Sequence, residues 1–227
     1  MNQQDFIRNV LSHNNELFRL IYQFDTGLAD YINKEQLKGA IKDSLPGDLF
    51  STPRLQKKIS AYLINQLKLK SCFYSFKEPR LRIALLPEAI LEQVLLYAGA
   101  AFYSDTIKHI VLKKKLTELQ ASIGEKVYIF ATKKAPLLSQ LVPHISVDKS
   151  PAHLDKDQLI NAGKACIEAC FAKEPEALTQ RFKLKFPPSV HFNFNQEISP
   201  ELKTQCWNFL QRLIIKELAP EWKSCFA

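Results

Sequence analysis

The chain of 227 residues predicts a mainly α, compact multi-helix globular fold. Two observations carry that prediction. Apolar residues recur at three- and four-residue spacing through most of the sequence, and several of these runs open on a proline after a capping residue. Composition adds the means to build a core: 46% of residues are hydrophobic and 24% charged.

The first 24 residues read as helix through Phe6, Val10, Leu17, Leu20 and Ile21. Thr52 followed by Pro53 is a helix start, with Leu55, Ile59, Tyr62, Leu63 and Leu67 on one face and Lys57, Lys58 and Lys68 elsewhere. Pro87 opens a further helix with Ile90, Leu91, Val94, Leu95 and Ala98 on its apolar side. Leu159, Ile160, Gly163, Cys166, Ile167, Cys170 and Phe171 form another stripe that ends before Pro175. Ser199-Pro200 repeats the start signal, and the stripe from Leu202 to Leu218 stops at Pro220. Two stretches read as strand instead. Arg181–Phe186 alternates basic and apolar residues and Val190–Phe194 alternates too, with Pro187-Pro188-Ser189 between them, so a short β-hairpin over 181–194 is compatible with the pattern. Cys72–Phe76 alternates more weakly. No repeat marks a boundary, and the chain reads as one helical domain. It is divisible into an N-terminal region, 1–84, and a body, 85–227, with a loop near 142–154 that holds two prolines and two histidines.

Charge is uneven. Residues 54–140 carry 15 basic and 6 acidic groups, net +9, while the flanking thirds are close to neutral and the whole chain is +8. Such a bias speaks to partners rather than fold. Lys113, Lys114 and Lys115 are the densest basic run, with Lys133 and Lys134 following in sequence. They are the candidate partner-binding residues. The alternatives are a solvated helix face, since three consecutive lysines span about 200° of a helix, or a nucleic-acid surface, which would want exposed aromatics such as Tyr103, Tyr128 or Phe130 among the charges.

Other chemistry is poorly supported. The N-terminus, Met1-Asn2-Gln3-Gln4-Asp5, has neither the basic start nor the apolar run of a secretory signal. The longest charge-free apolar stretch, Gln93–Ser104, is 12 residues, short of the roughly 18 a bilayer needs. Both features predict a cytoplasmic protein. Five cysteines without tight spacing (Cys72, Cys166, Cys170, Cys206, Cys225) predict reduced core thiols rather than a disulfide framework. Cys166 and Cys170, four apart, could be half a zinc site, but both lie in an apolar stripe where a free thiol acts as a small hydrophobe. His13, His109, His144, His153 and His191 are scattered, and no nucleophile elbow, phosphate-binding loop or paired-histidine metal motif occurs. Glycine, at 6 residues, is too scarce for Gly-rich phosphate loops. No enzyme is expected.

Three segments together resemble a known family. They are Tyr97-Ala-Gly-Ala-Ala-Phe-Tyr-Ser-Asp-Thr-Ile-Lys-His-Ile110, running on through Ile123-Gly-Glu-Lys-Val-Tyr-Ile-Phe-Ala131 to Leu138; Leu159-Ile-Asn-Ala-Gly163, leading to Arg181-Phe-Lys-Leu-Lys-Phe-Pro187; and the tail Leu213–Phe226. In order and spacing these resemble the SctK family, also called YscK, of bacterial type III secretion, over roughly residues 85–227. The resemblance implies a mainly helical, non-enzymatic adaptor of the cytoplasmic sorting platform. Such an adaptor links the inner-membrane ring protein SctD to the pod protein SctQ, and through it the stator SctL and the ATPase SctN. It implies a place at the cytoplasmic face of the inner membrane. For the tail, Trp222 and Phe226 are expected to dock back on the body, with partner anchoring the other reading.

Overall fold

The computed structural model describes residues 3–40, 52–143, 145 and 154–226. Its helices are α1 (Gln3–His13), α2 (Asn15–Thr26), α3 (Lys34–Ala40), α4 (Pro53–Gln66), α5 (Glu88–Phe102), α6 (Ser104–Lys108), α7 (Lys113–Ile123), α8 (Glu125–Ile129), α9 (Lys156–Phe171), α10 (Glu176–Lys183) and α11 (Pro200–Leu213). Tighter 3₁₀ turns join several of them, and wider π turns continue α8 over Phe130–Lys134 and α11 over Ile214–Leu218. The fold is mainly α, as the periodicity predicts, and no strand occurs among the described residues.

The start at Ser199 acts as read: its hydroxyl accepts from the Leu202 N–H at 3.2 Å. The first helical stretch differs from its reading, because the Asn14 side chain accepts from the Leu17 N–H at 2.9 Å and splits it in two. Thr52 occupies the cap position of α4 but its hydroxyl makes no capping bond. Leu63 of that helix is fully buried, while Tyr62 is 54% exposed and does not share its face.

The chain forms two compact units. The first comprises Met1–Glu88, Lys173–Phe192 and Ala227; the second comprises Ala89–Ala172 and Asn193–Phe226. In the first, α4 packs on the turn Leu28–Asp30, and Leu28, Ile32, Leu63 and Leu69 bury together. Phe182, Phe186 and Phe192 of the returning segment make ring contacts at 5.0–5.4 Å. In the second unit α9 packs along α11, and α5 crosses α9 at backbone contact. A Cβ on Gly99 would lie 1.8 Å from the Leu159 carbonyl oxygen, and one on Gly163 would lie 1.9 Å from that of Leu95. Only glycine fits at either position.

The hairpin expected over 181–194 does not form. Arg181–Lys183 closes α10, and Leu184–Phe186 continues as a turn. The alternating pattern misleads because two of its basic residues point inward. Arg181 and Lys185 are 1% and 2% exposed, and they lie four apart, as do the buried Phe182 and Phe186. That is helical spacing. Val190–Phe194 does run with Phe192 and Phe194 in and His191 and Asn193 out, but without a ladder partner. The Asn193 N–H instead donates to the Glu168 carboxylate at 2.9 Å. Cys72–Phe76 is likewise a 3₁₀ turn, over Phe73–Lys77. The expected loop at 142–154 falls mostly outside the described residues, of which it includes Val142, Pro143, Ile145 and Leu154.

Candidate docking surface

The lysine run sits at the start of α7. The preceding helix α6 is closed by His109, whose backbone N–H bonds the Asp105 and Thr106 carbonyls. The chain then leaves helical geometry through Val111 and Leu112 and re-enters at Lys113. Leu112 takes the cap position with extended backbone and has no side-chain oxygen to offer the free amides. Lys113, Lys114 and Lys115 fill the first turn, and all three are exposed. Positive charge there opposes the positive end of the helix dipole. The inward side of α7 is Leu119 and Ile123, both buried. Gly124 ends the helix at φ +85°, a conformation that favours glycine.

Lys133 and Lys134 lie on the π turn after α8. Lys133 is exposed. Lys134 reaches Glu217, 83 positions away, at 2.6 Å, and that bond to the carboxylate raises its pKa. Nearby, burial raises the Tyr97 pKa, with Glu217 adding to the effect and Lys134 opposing it. The structure therefore leaves Lys113–Lys115 and Lys133 facing solvent and engages Lys134 within its own unit. Sequence reasoning missed the two residues before the run. Val111 is 91% and Leu112 62% exposed. The available signal was an apolar pair stranded between His109 and three lysines, with no partner at helical spacing.

Two of the three aromatics near these charges are no stacking platforms: Tyr103 and Phe130 are buried, and Phe130 packs on Tyr97 with ring centroids 4.8 Å apart. Tyr128 is half-buried. The exposed apolar residues of this region are aliphatic: Val111, Leu112, Ile129 and Leu137.

The titratable groups of the interior are engaged in structural work. In the first unit the Asp25 carboxylate accepts from Ser71 Oγ at 2.7 Å and from the Cys72 N–H at 2.8 Å, and lies 3.9 Å from Arg181 Nε. Arg181 Nε and Nη2 donate to the Lys70 carbonyl at 3.4 and 3.3 Å. Lys185 Nζ donates to the Leu86 carbonyl at 2.6 Å, over the rings of Phe24 and Tyr31 at 5.2 Å each. Burial pulls the Lys185 ammonium down to about 7, opposed by Glu88. Burial pushes the Tyr31 hydroxyl and the Cys72 thiol up, and the Asp25 charge adds to the rise at Cys72.

All five cysteines are free and buried. Cys166 and Cys170 do share the inner face of α9, and the Cys166 thiol, beside Cys206, is pushed well above its usual range chiefly by burial. A thiol held protonated is the opposite of an activated nucleophile. No group of three or more metal-ligating side chains gathers among the described residues. His109 and His191 are exposed, and the His109 ring lies 2.7 Å from the Asp105 carbonyl oxygen. His144 and His153 lie outside the described residues. No described helix is long and apolar enough to cross a membrane.

The family model described as YOP proteins translocation protein K (YscK) matches residues 20–226. The chain belongs to the YscK family. It is a protein of the type III secretion machinery, in a family of secretion components rather than of enzymes. The match starts well before residue 85, so it takes in the end of α2 and all of α3 and α4. Two of the residues that carried the resemblance now have a physical reason: Gly99 and Gly163 are the two sides of the YscK-family chain's α5–α9 crossing. In the tail, Phe226 is buried with its ring 5.6 Å from that of Trp207, so this residue docks back as expected. No curated protein and no solved structure matches the chain.

Proposed function

We propose that this protein is a non-enzymatic adaptor of the type III secretion sorting platform. In this reading it works in the cytoplasm, at the inner face of the inner membrane. It links the ring protein SctD to the pod protein SctQ, and through SctQ the stator SctL and the ATPase SctN. It needs no cofactor.

The observation that carries this reading is the family match over residues 20–226. The chemistry of the interior supports it. The half-buried Asp25 and the buried Arg181 and Lys185 are turned on neighbouring side chains and backbone carbonyls of their own unit, which suits a rigid scaffold. The exposed lysines Lys113, Lys114, Lys115 and Lys133 are the docking charges, with Lys134 held beside them in sequence by Glu217. Complementary charge at this face speeds encounter with an acidic partner and makes binding salt-dependent.

A tagged pull-down from the native cell, at low and moderate salt, tests the proposal. Recovery of the ring protein together with the pod protein is the expected result. An eluate rich in nucleic acid, with high absorbance at 260 nm and no secretion protein, would overturn it.

A further inference from the structure

Val111–Lys115 is an unusual way to begin a helix. Every one of its five side chains is exposed. The cap residue is leucine, among the poorest choices for that position. A hydrophobic residue before the cap commonly packs against the fourth helical residue. Val111 and Leu116 occupy those positions, yet Val111 stays 91% exposed. Three lysines then crowd the turn where acidic residues stabilise a helix. Each choice costs local stability, and among the described residues no side-chain hydrogen bond or ion pair of these five recovers it. Local rules are broken in this way mostly where function demands it.

We infer that Val111–Lys115 is a docking site for an acidic protein segment that presents a large apolar side chain to Val111 and Leu112. The occupant follows from complementarity. Two exposed apolar side chains stand directly before three exposed lysines in the chain, and an interface with an apolar core and a polar rim fits such a pair. Acidic side chains on the partner would answer both the lysines and the positive end of α7. Two other occupants fit less well. A bilayer surface calls for a long apolar helix face, and α7 turns Leu119 and Ile123 inward. Nucleic acid calls for several exposed stacking aromatics, and here Tyr103 and Phe130 are buried and Tyr128 is half-buried. The inference deepens the adaptor reading by naming the partner chemistry at its lysine face, but it can be tested apart from it.

The probe is a synthetic helical peptide of glutamate and leucine, applied to the full chain and followed by fluorescence anisotropy and by amide exchange. Binding should protect the amides that follow Val111. Lys113→Glu with Lys114→Glu and Lys115→Glu should weaken binding by about tenfold or more, and Val111→Ser with Leu112→Ser by about fivefold. The control reverses Arg54, Lys57 and Lys58, exposed on α4, for the same change in net charge; it should alter binding less than about twofold. Unchanged circular dichroism confirms that each variant folds. Protection elsewhere, equal loss in the control, or tighter binding of anionic vesicles or of a DNA duplex to the same residues would overturn the inference. Purified SctQ and SctD form a separate arm. If they bind and the site variants bind equally well, the inference fails and the adaptor reading stands. If the peptide maps to the site and neither protein binds, the adaptor reading fails alone.

Discussion

The two units differ in what they bury beside their phenylalanine rings. Both have such rings, Phe6, Phe24, Phe76, Phe182 and Phe186 in the first and Phe130, Phe171, Phe194, Phe209 and Phe226 in the second, but the first also buries the cations Arg82, Arg181 and Lys185. The second brings α5 and α9 together over Gly99 and Gly163, with Ala98, Ala100 and Ala162 beside them, and keeps Lys113–Lys115 in solvent. A core tolerates cations if each finds a carbonyl or an aromatic face. A core built on backbone contact tolerates polar surface outside it but no added volume at the crossing. The first unit should therefore respond to pH, and the second to a methyl group.

The largest effect expected is in the second unit. Gly99→Ala or Gly163→Ala should each cost about 3 kcal/mol in urea unfolding, because the clashing atom is a backbone carbonyl that cannot rotate away. The double variant should cost less than the two singles together, since helices forced apart by one methyl admit the other. Full additivity would mean that the two contacts are independent.

Next comes the tail of the same unit. Phe226→Ala should cost about 3 kcal/mol and change the emission of Trp207, whose ring it meets edge-on. A variant that keeps wild-type stability would detach the tail from the core.

In the first unit the sharper readout is a slope. Lys185 holds its proton to about pH 10.5 when unfolded but only to about 7 when folded. Between those values the unfolded chain binds the extra proton, so stability should rise with pH from 7 upward. Below 7 both states are charged and the burial penalty is present in full. Lys185→Met should flatten that rise, measured by denaturant unfolding at pH 7 and pH 9. Parallel slopes in both proteins would show that another group titrates.

The smallest change is at the end of α4, where Lys68 adopts φ +51°. Lys68→Gly should stabilise the chain by up to about 1 kcal/mol, read as a raised midpoint of thermal unfolding.

Much of the helical framework was legible in the sequence because amphipathic spacing and capping are local. Ser199 caps the amide three residues on; Asn14 does the same, but the apolar stripe over the first 24 residues ran across it and hid the break. The charge bias was legible for the same reason, and it led to Lys113–Lys115. Alternation at 181–194 failed as a signal because it assumes that basic residues face water, whereas the rings of Phe24 and Tyr31 and the Lys70 and Leu86 carbonyls receive Arg181 and Lys185. The exposure of Val111 and Leu112 was hidden because an apolar pair reads as core until neighbours are known.

The sequence by itself determined the apolar stripes that form α1, α2, α4, α5, α9 and α11, the start at Ser199, the free buried thiols and the family, since each rests on short-range pattern or residue order. Only the tertiary structure decided which glycines touch backbone, which cations are buried, which lysine Glu217 takes up, and which apolar residues are left in water. Those outcomes depend on contacts between residues dozens of positions apart, and spacing along a chain carries no record of them.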